Sequence, residues 1–195
     1  MTFVRILAAV VAVLVLVAGC GSGAEVKDGA RLRFRPVLGE LPSGVAVGAP
    51  GLRQSTDPAT QDAAARALAC PPGRPDALDG QDDPALPLVT CERLQGNRYL
   101  LGPGFLSGAD VGSVEAALDG RTGHGVVDVA FTDSGAEKWA DWTGHHIGKK
   151  FAVVLKSQVI STVTIYAVIT DGLMQFTGNF TQAQARQLVR EITAG

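Results

Sequence analysis

Phe151-Ala152-Val153-Val154-Leu155-Lys156-Ser157-Gln158-Val159-Ile160-Ser161-Thr162-Val163-Thr164-Ile165-Tyr166-Ala167-Val168-Ile169 is dense in β-branched side chains. Its hydropathy alone invites a membrane-span reading. Lys156, Gln158, Ser161, Thr162 and Thr164 interrupt it, and β-branched chains are stiff at χ1 and pack best on a pleated surface. The sequence therefore predicts a hairpin, with strands at Phe151 to Leu155 and Val159 to Ile169 joined at Lys156-Ser157.

Working outward, Val126 to Phe131 alternates as a strand and leads into Thr132-Asp133-Ser134-Gly135-Ala136-Glu137, where Ser134 and Glu137 have the spacing of a capping box. The helix that follows can place Ala136, Trp139 and Ala140 on one face and ends near Gly144. Beyond the hairpin, Leu173 to Thr177 reads as a strand. Thr181-Gln182-Ala183-Gln184 caps a last helix with an apolar stripe of Ala185, Leu188, Val189 and Ile192. On the N-terminal side, residues 31–38 alternate as a short strand, and Pro36 suggests an edge or a strand end. Residues 42–58 form a loop, and Asp57-Pro58 starts an alanine-rich helix running to Ala69. The expected fold class is α+β: a single domain, mostly antiparallel sheet, with two or three packed helices. Residues 30–98 form its N-terminal part and residues 99–195 its more regular core.

The chain opens on Met1-Thr2-Phe3-Val4-Arg5, then an apolar run from Ile6 to Val17, then Ala18-Gly19-Cys20. About 20 apolar residues are needed to span a bilayer core, so this run reads as the apolar region of a signal peptide. Val17-Ala18-Gly19-Cys20 is similar to a bacterial lipobox, which implies cleavage after residue 19 and a lipid on Cys20. Two or more acyl chains hold firmly, at about 0.8 kcal/mol per buried CH₂. Residues 1–19 are then the signal peptide, and residues 20–29, small and polar, are a lipidated flexible tether. The expected location is the outer face of the cell membrane.

With Cys20 assigned to lipid, Cys70 and Cys91 remain in a chain bound for an oxidising compartment, and they are expected to pair. A bridge closing a loop of roughly 20 residues contributes about 3 kcal/mol in the chain-entropy account. The intervening Pro71-Pro72-Gly73-Arg74-Pro75 and Asp82-Asp83-Pro84 look irregular. No histidine lies near enough to make the two cysteines a zinc site. The net charge is −2, with no basic cluster, so nucleic acid is not an expected partner.

Several phrases, in order and at fitting intervals, resemble the P1 head subdomain of SecD, an auxiliary subunit of the Sec protein-export machinery. They are Phe34-Arg35-Pro36-Val37, Tyr99-Leu100-Leu101-Gly102-Pro103, Ser107-Gly108-Ala109-Asp110-Val111, Val127-Asp128-Val129-Ala130-Phe131-Thr132, Gly148 to Leu155, and Thr177-Gly178-Asn179-Phe180-Thr181. The resemblance implies a SecD head-like fold and contact with Sec translocon components or translocating polypeptide. It departs at the hairpin tip, where SecD usually has Asp-Gly and this chain has Lys156-Ser157. It also lacks counterparts of SecD's ferredoxin-like base and membrane helices, so proton-driven transport is not implied.

No nucleophile with a base, carboxylate pair, metal cluster or phosphate loop shows specific spacing, so neither an enzyme nor a cofactor is expected. His145 and His146 fit a helix end, where imidazoles meet terminal carbonyls, and His124 fits a solvated loop. Asn179-Phe180-Thr181 matches a glycosylation pattern but reads better as turn and cap. Trp139 and Trp142 are three apart on one helix. At least one belongs in the core, and Trp142 is the better candidate for exposure. The candidate contact surface is therefore Trp142, Lys156 and Ser157. The function expected is a lipid-anchored extracytoplasmic binding module linked to protein export, without proton-driven transport of its own. The alternative is a structural or ligand-binding envelope lipoprotein that reuses the head fold.

Overall fold

The computed structural model describes residues 23–26, 31–46 and 52–194. Cys20 and the apolar N-terminal run lie outside these residues. The elements in chain order are β1 (Ala24–Glu25), β2 (Leu32–Leu41), α1 (Pro58–Ala67), β3 (Leu88–Cys91), β4 (Arg98–Leu101), β5 (Leu106–Ser107), a 3₁₀ turn (Gly108–Asp110), β6 (Val111–Leu118), β7 (Gly125–Phe131), α2 (Asp133–His145), β8 (Lys150–Leu155), β9 (Gln158–Thr164), β10 (Leu173–Phe180) and α3 (Gln182–Ala194). Four strands form one antiparallel sheet in the order β1-β6-β7-β10. Six form another, in the order β3-β4-β2-β8-β9, with β5 beside β2. This is the α+β, mostly antiparallel fold with three helices.

The hairpin predicted from the β-branched run is the β8–β9 pair, from Lys150 opposite Thr164 to Leu155 opposite Gln158. From Phe151 to Leu155 its β8 strand is continuously apolar because both faces of the sheet are covered there. Phe151, Val153 and Leu155 join the main core with Leu32, Phe34 and Ile160. Ala152 and Val154 alternate onto the opposite face, where they pack with Leu88, Tyr99 and Leu101. Residues 98 and 99 are neighbours in β4, so the N-terminal part and the regular core share one sheet.

Several boundaries differ from the sequence reading. The β9 strand stops at Thr164, not Ile169; Ile165 makes the last backbone bonds across, donating to Lys149 O at 3.0 Å and accepting from Gly148 N at 2.8 Å. The chain instead leaves the sheet, and the Ile169 N–H is taken by Thr143 Oγ1 at 3.1 Å. The N-cap of α2 is Thr132, not Ser134. Asp110 O accepts the Thr132 N–H at 2.9 Å, and Thr132 Oγ1 accepts from the Gly135 N–H at 3.1 Å. The first helix ends at Ala67, two residues short of Ala69. Pro36 lies inside β2, not at an edge. It marks the point where β2 passes from pairing with β8, over residues 32–36, to pairing with β4, over residues 37–41. The proposed flexible tether is partly structured, since Ala24 and Glu25 pair with Val114 and Ser113. The Thr181 capping box is present: Thr181 Oγ1 accepts from Gln184 N at 3.2 Å, and Gln184 Oε1 accepts from Thr181 N at 2.8 Å.

Candidate functional site

The Lys156-Ser157 turn has both residues in the left-handed region, at φ 50° and 62°. Two positive φ values in a two-residue hairpin loop match the right-handed twist of the strands, which is why Asn-Gly or Asp-Gly is the usual choice there. Ser157 is buried at 1 % exposure, so its expected place on a contact surface is corrected. Its hydroxyl donates to Asp82 Oδ1 at 2.5 Å and accepts from the Gly80 N–H at 2.8 Å. Thr90 Oγ1 donates to its carbonyl. These bonds replace water for a polar turn residue in the interior.

What covers the turn is the segment between the two cysteines, which are joined with Cα atoms 5.4 Å apart. Arg35 is fully buried and holds this segment from beneath. Its guanidinium donates to Asp82 Oδ2 at 2.6 Å and to the carbonyls of Leu86 at 2.7 Å, Asp83 at 3.0 Å and Gly102 at 3.0 Å. Burial pushes the Arg35 guanidinium below its ordinary value, and Asp82 opposes that shift by charge and hydrogen bond. Arg53 grips Asp76 with two bonds, at 2.8 and 2.7 Å, and Gln158 Nε2 donates to Arg74 O at 2.7 Å. Sequence reading placed Arg35 in a short alternating strand and gave its side chain no role. The one available signal was three arginines, at 31, 33 and 35, facing a loop containing Asp76, Asp79, Asp82 and Asp83.

Lys156 remains on the rim of a hollow of about 510 Å³ whose wall includes Asp76, Asp79, Leu94, Gln158 and Gln187. Along α3 the hollow continues into an apolar end formed by Leu94, Ile160, Phe180 and Leu188. Arg93 and Glu191, paired at 2.8 Å, are common to both ends, so the two make one groove between α3, the β3–β4 turn and the hairpin.

The structure does not bring Trp142 to this groove. Trp139 is completely buried, at 5.2 Å from the Phe151 ring. Trp142 is partly buried, stacked on Phe105 at 3.7 Å and on His146 at 4.2 Å. It therefore lies beside the start of β8, a strand length from the Lys156-Ser157 turn. His145 and His146 meet the carbonyls of Asp141 and Trp142 at 2.8 and 2.7 Å, as a helix-end role requires. Among the described residues no group of three or more His, Cys, Asp or Glu could hold a metal ion. No helix among them is long and apolar enough to cross a membrane.

Residues 87–195 match the family model described as SecDF, P1 head subdomain. The chain is 40 % identical over 147 residues to the protein translocase subunit SecD of Mycobacterium tuberculosis, covering 74 % of this chain and 26 % of that protein. It is 32 % identical over 107 residues to SecD of Streptomyces coelicolor, covering 52 % of this chain and 19 % of that one. A crystal structure of SecDF in a super-membrane-facing form superposes with a TM-score of 0.50 at 28 % identity, over 86 % of this chain and 19 % of that one. A second structure, of SecDF as a membrane component that enhances protein export, gives a TM-score of 0.50 at 26 % identity, over 89 % of this chain and 64 % of that one. The chain spans about a quarter or less of the SecD proteins it matches.

Proposed function

Because the chain belongs to the SecDF P1 head subdomain family, we propose that it is a membrane-anchored extracytoplasmic binding module that works beside the export machinery. In this reading it contacts Sec translocon components or translocated polypeptide and drives no proton-coupled transport of its own. Lipid on Cys20 holds it at the outer face of the cell membrane, as the lipobox-like Val17-Ala18-Gly19-Cys20 suggests. The observation that carries the reading is the groove along α3. One end is walled by Ile160, Phe180 and Leu188, and the other by the polar side chains of Asp79, Lys156 and Gln187. An extended polypeptide presents that combination of apolar side chains and backbone hydrogen-bonding groups. Lys156 rims the groove, and Trp142 supplies a separate contact point.

The test is photocrosslinking in intact cells at native expression, with a benzophenone side chain at Leu94 or Gln187 and a control at Glu115. Adducts with Sec components or exported precursors from the first two positions, and not from Glu115, support the reading. Recovery of neither class defeats it. The second reading is an envelope lipoprotein that binds or supports something else with the same fold. It is favoured by the covered hairpin tip, where Ser157 is buried under the inter-cysteine segment. Deletion that leaves secretion normal but alters envelope integrity or small-molecule uptake would favour it.

A further inference from the structure

Five charged residues wall the groove along α3, and four of them are spoken for. Arg93 pairs with Glu191 at 2.8 Å, Asp76 with Arg53 at 2.7 Å and Asp79 with Arg31 at 3.0 Å. The fifth, Lys156, has no ion pair or side-chain hydrogen bond among the described residues. An ammonium left over beside a hollow whose other charges are balanced is complementary to a carboxylate brought by the partner.

The opposite end is sized for a single side chain. Its hollow is about 130 Å³ and is lined by Ile160, Phe180 and Leu188, with Leu94 39 % exposed at the lip. An apolar cavity of about 150 Å³ holds one benzene molecule, so this end takes a leucine-sized side chain and not a lipid acyl chain. The wall between the ends suits a backbone. Gln158 and Gln187 use their amide nitrogens on Arg74 O at 2.7 Å and Glu191 Oε1 at 3.0 Å. Their oxygens accept nothing among the described residues, which leaves them for the N–H groups of an extended chain. Ile160 is two strand steps, about 7 Å, from Gln158, and Lys156 sits in the turn just beyond. Roughly 10 Å therefore separate the apolar hollow from the root of the lysine stem. Side chains on one face of an extended chain recur every second residue, so a spacing of four, about 13 Å, brings a carboxylate within reach of that flexible stem.

Resting on the polypeptide-binding reading above, we propose that the groove selects extended segments in which an apolar residue lies four positions from an aspartate or glutamate. The apolar side chain fills the Ile160 hollow and the acidic side chain pairs with Lys156. The test uses the full chain in phosphatidylcholine nanodiscs, with empty discs as the blank, and rhodamine-labelled peptides of serine and threonine with both ends blocked. Fluorescence anisotropy compares a peptide carrying leucine and glutamate four apart with versions in which glutamine or lysine replaces the glutamate, or serine the leucine. The glutamine version should bind about three- to five-fold more weakly, and the serine version about ten-fold more weakly or worse. Lys156→Gln should abolish the preference for glutamate over glutamine, and Lys156→Glu should turn it toward the lysine peptide. Lys149→Gln, an exposed lysine a strand length away before β8, should leave it intact. Equal binding of the glutamate and glutamine peptides, or loss of the preference in Lys149→Gln as well, overturns the pairing with Lys156. Displacement of the peptide by palmitate overturns the choice of occupant. No binding of any peptide overturns the inference. Only if the cellular crosslinks from Leu94 and Gln187 also fail does the polypeptide reading fall with it.

Discussion

The two faces of the six-stranded sheet are covered by different physics. One face meets the four-stranded sheet, α2 and α3 through apolar and aromatic packing, with Trp139 among Phe105, Phe131 and Phe151. The other meets an irregular segment that is held by a disulfide, two buried or nearly buried ion pairs and side chains donating to loop carbonyls. Regular elements satisfy their own backbone and need only bury a side-chain face. A loop laid on a sheet leaves carbonyls unpaired, and each must find a donor. That is the reason for a guanidinium at Arg35, whose donors reach three loop carbonyls and Asp82 at once.

The largest expected effect follows from removing that guanidinium. Arg35→Leu leaves Asp82 buried without its cation, and breaking a buried pair in this way costs about 3 to 5 kcal/mol, read as the loss in urea-unfolding free energy. Adding Asp82→Leu should recover only part of it, because Leu86, Asp83 and Gly102 still lack their donor. Full recovery in the double variant would mean that the charge pair alone matters and the contrast between the faces is overstated. Next in size, Cys70→Ser with Cys91→Ser should cost about 3 kcal/mol. Amide exchange should rise first in residues 71–87 while the amides of α2 stay protected. Simultaneous loss of protection on both sides would show that the two faces do not open separately.

The same contrast explains what could be read from sequence. The hairpin and α3 were legible because β-branched density and an apolar stripe report packing directly, and Thr181 carries a capping box whose partners are three residues apart. The inter-cysteine segment was legible only as irregular. Its structure depends on Arg35, Arg53 and Gln158, which lie 23 to 84 positions from the residues they hold and have no periodicity to betray them. Ser157 looked like an exposed turn residue because turns usually are exposed; the loop that buries it is set by contacts 75 and 77 positions away. Likewise β1 was hidden in small residues, since an unpaired edge of β6, not local propensity, makes Ala24 and Glu25 a strand.

A charged tie exists on the aromatic side as well, and it gives a pH dependence with a definite sign. Burial raises the Asp110 carboxyl. The Lys138 bond at 2.6 Å and the Ser107 N–H and hydroxyl outweigh it, so the group ends below its ordinary value of 3.8. A carboxyl depressed by folding contributes stability that is present above its unfolded value and is lost as pH falls through its folded value. Asp110→Asn should lower stability at neutral pH by about 1.5 to 3 kcal/mol, the range for bonds to a charged group. It should also flatten the decline below pH 3.8, measured as urea midpoints across acid pH. An unchanged acid limb would move the pH sensitivity to other carboxyls.

The smallest effect separates two neighbours with the same backbone strain. Lys156 and Ser157 both occupy the left-handed region, where a residue with a Cβ is disfavoured by about 1 to 2 kcal/mol. Lys156 is partly exposed and its backbone N–H bond to Arg31 O at 3.0 Å survives substitution, so Lys156→Gly should raise the thermal midpoint, by up to about 1 kcal/mol in stability. Ser157→Gly relieves the same strain but deletes the hydroxyl that links Asp82 and Gly80, leaving buried partners unsatisfied at a cost of about 1 to 3 kcal/mol. The net effect should be a lower midpoint. Opposite signs at adjacent residues would show that the turn is set by the loop above it as much as by its own backbone. If both glycine variants stabilise, the Asp82 contact is weaker than the strain it accompanies, and the polar face is held by Arg35 alone.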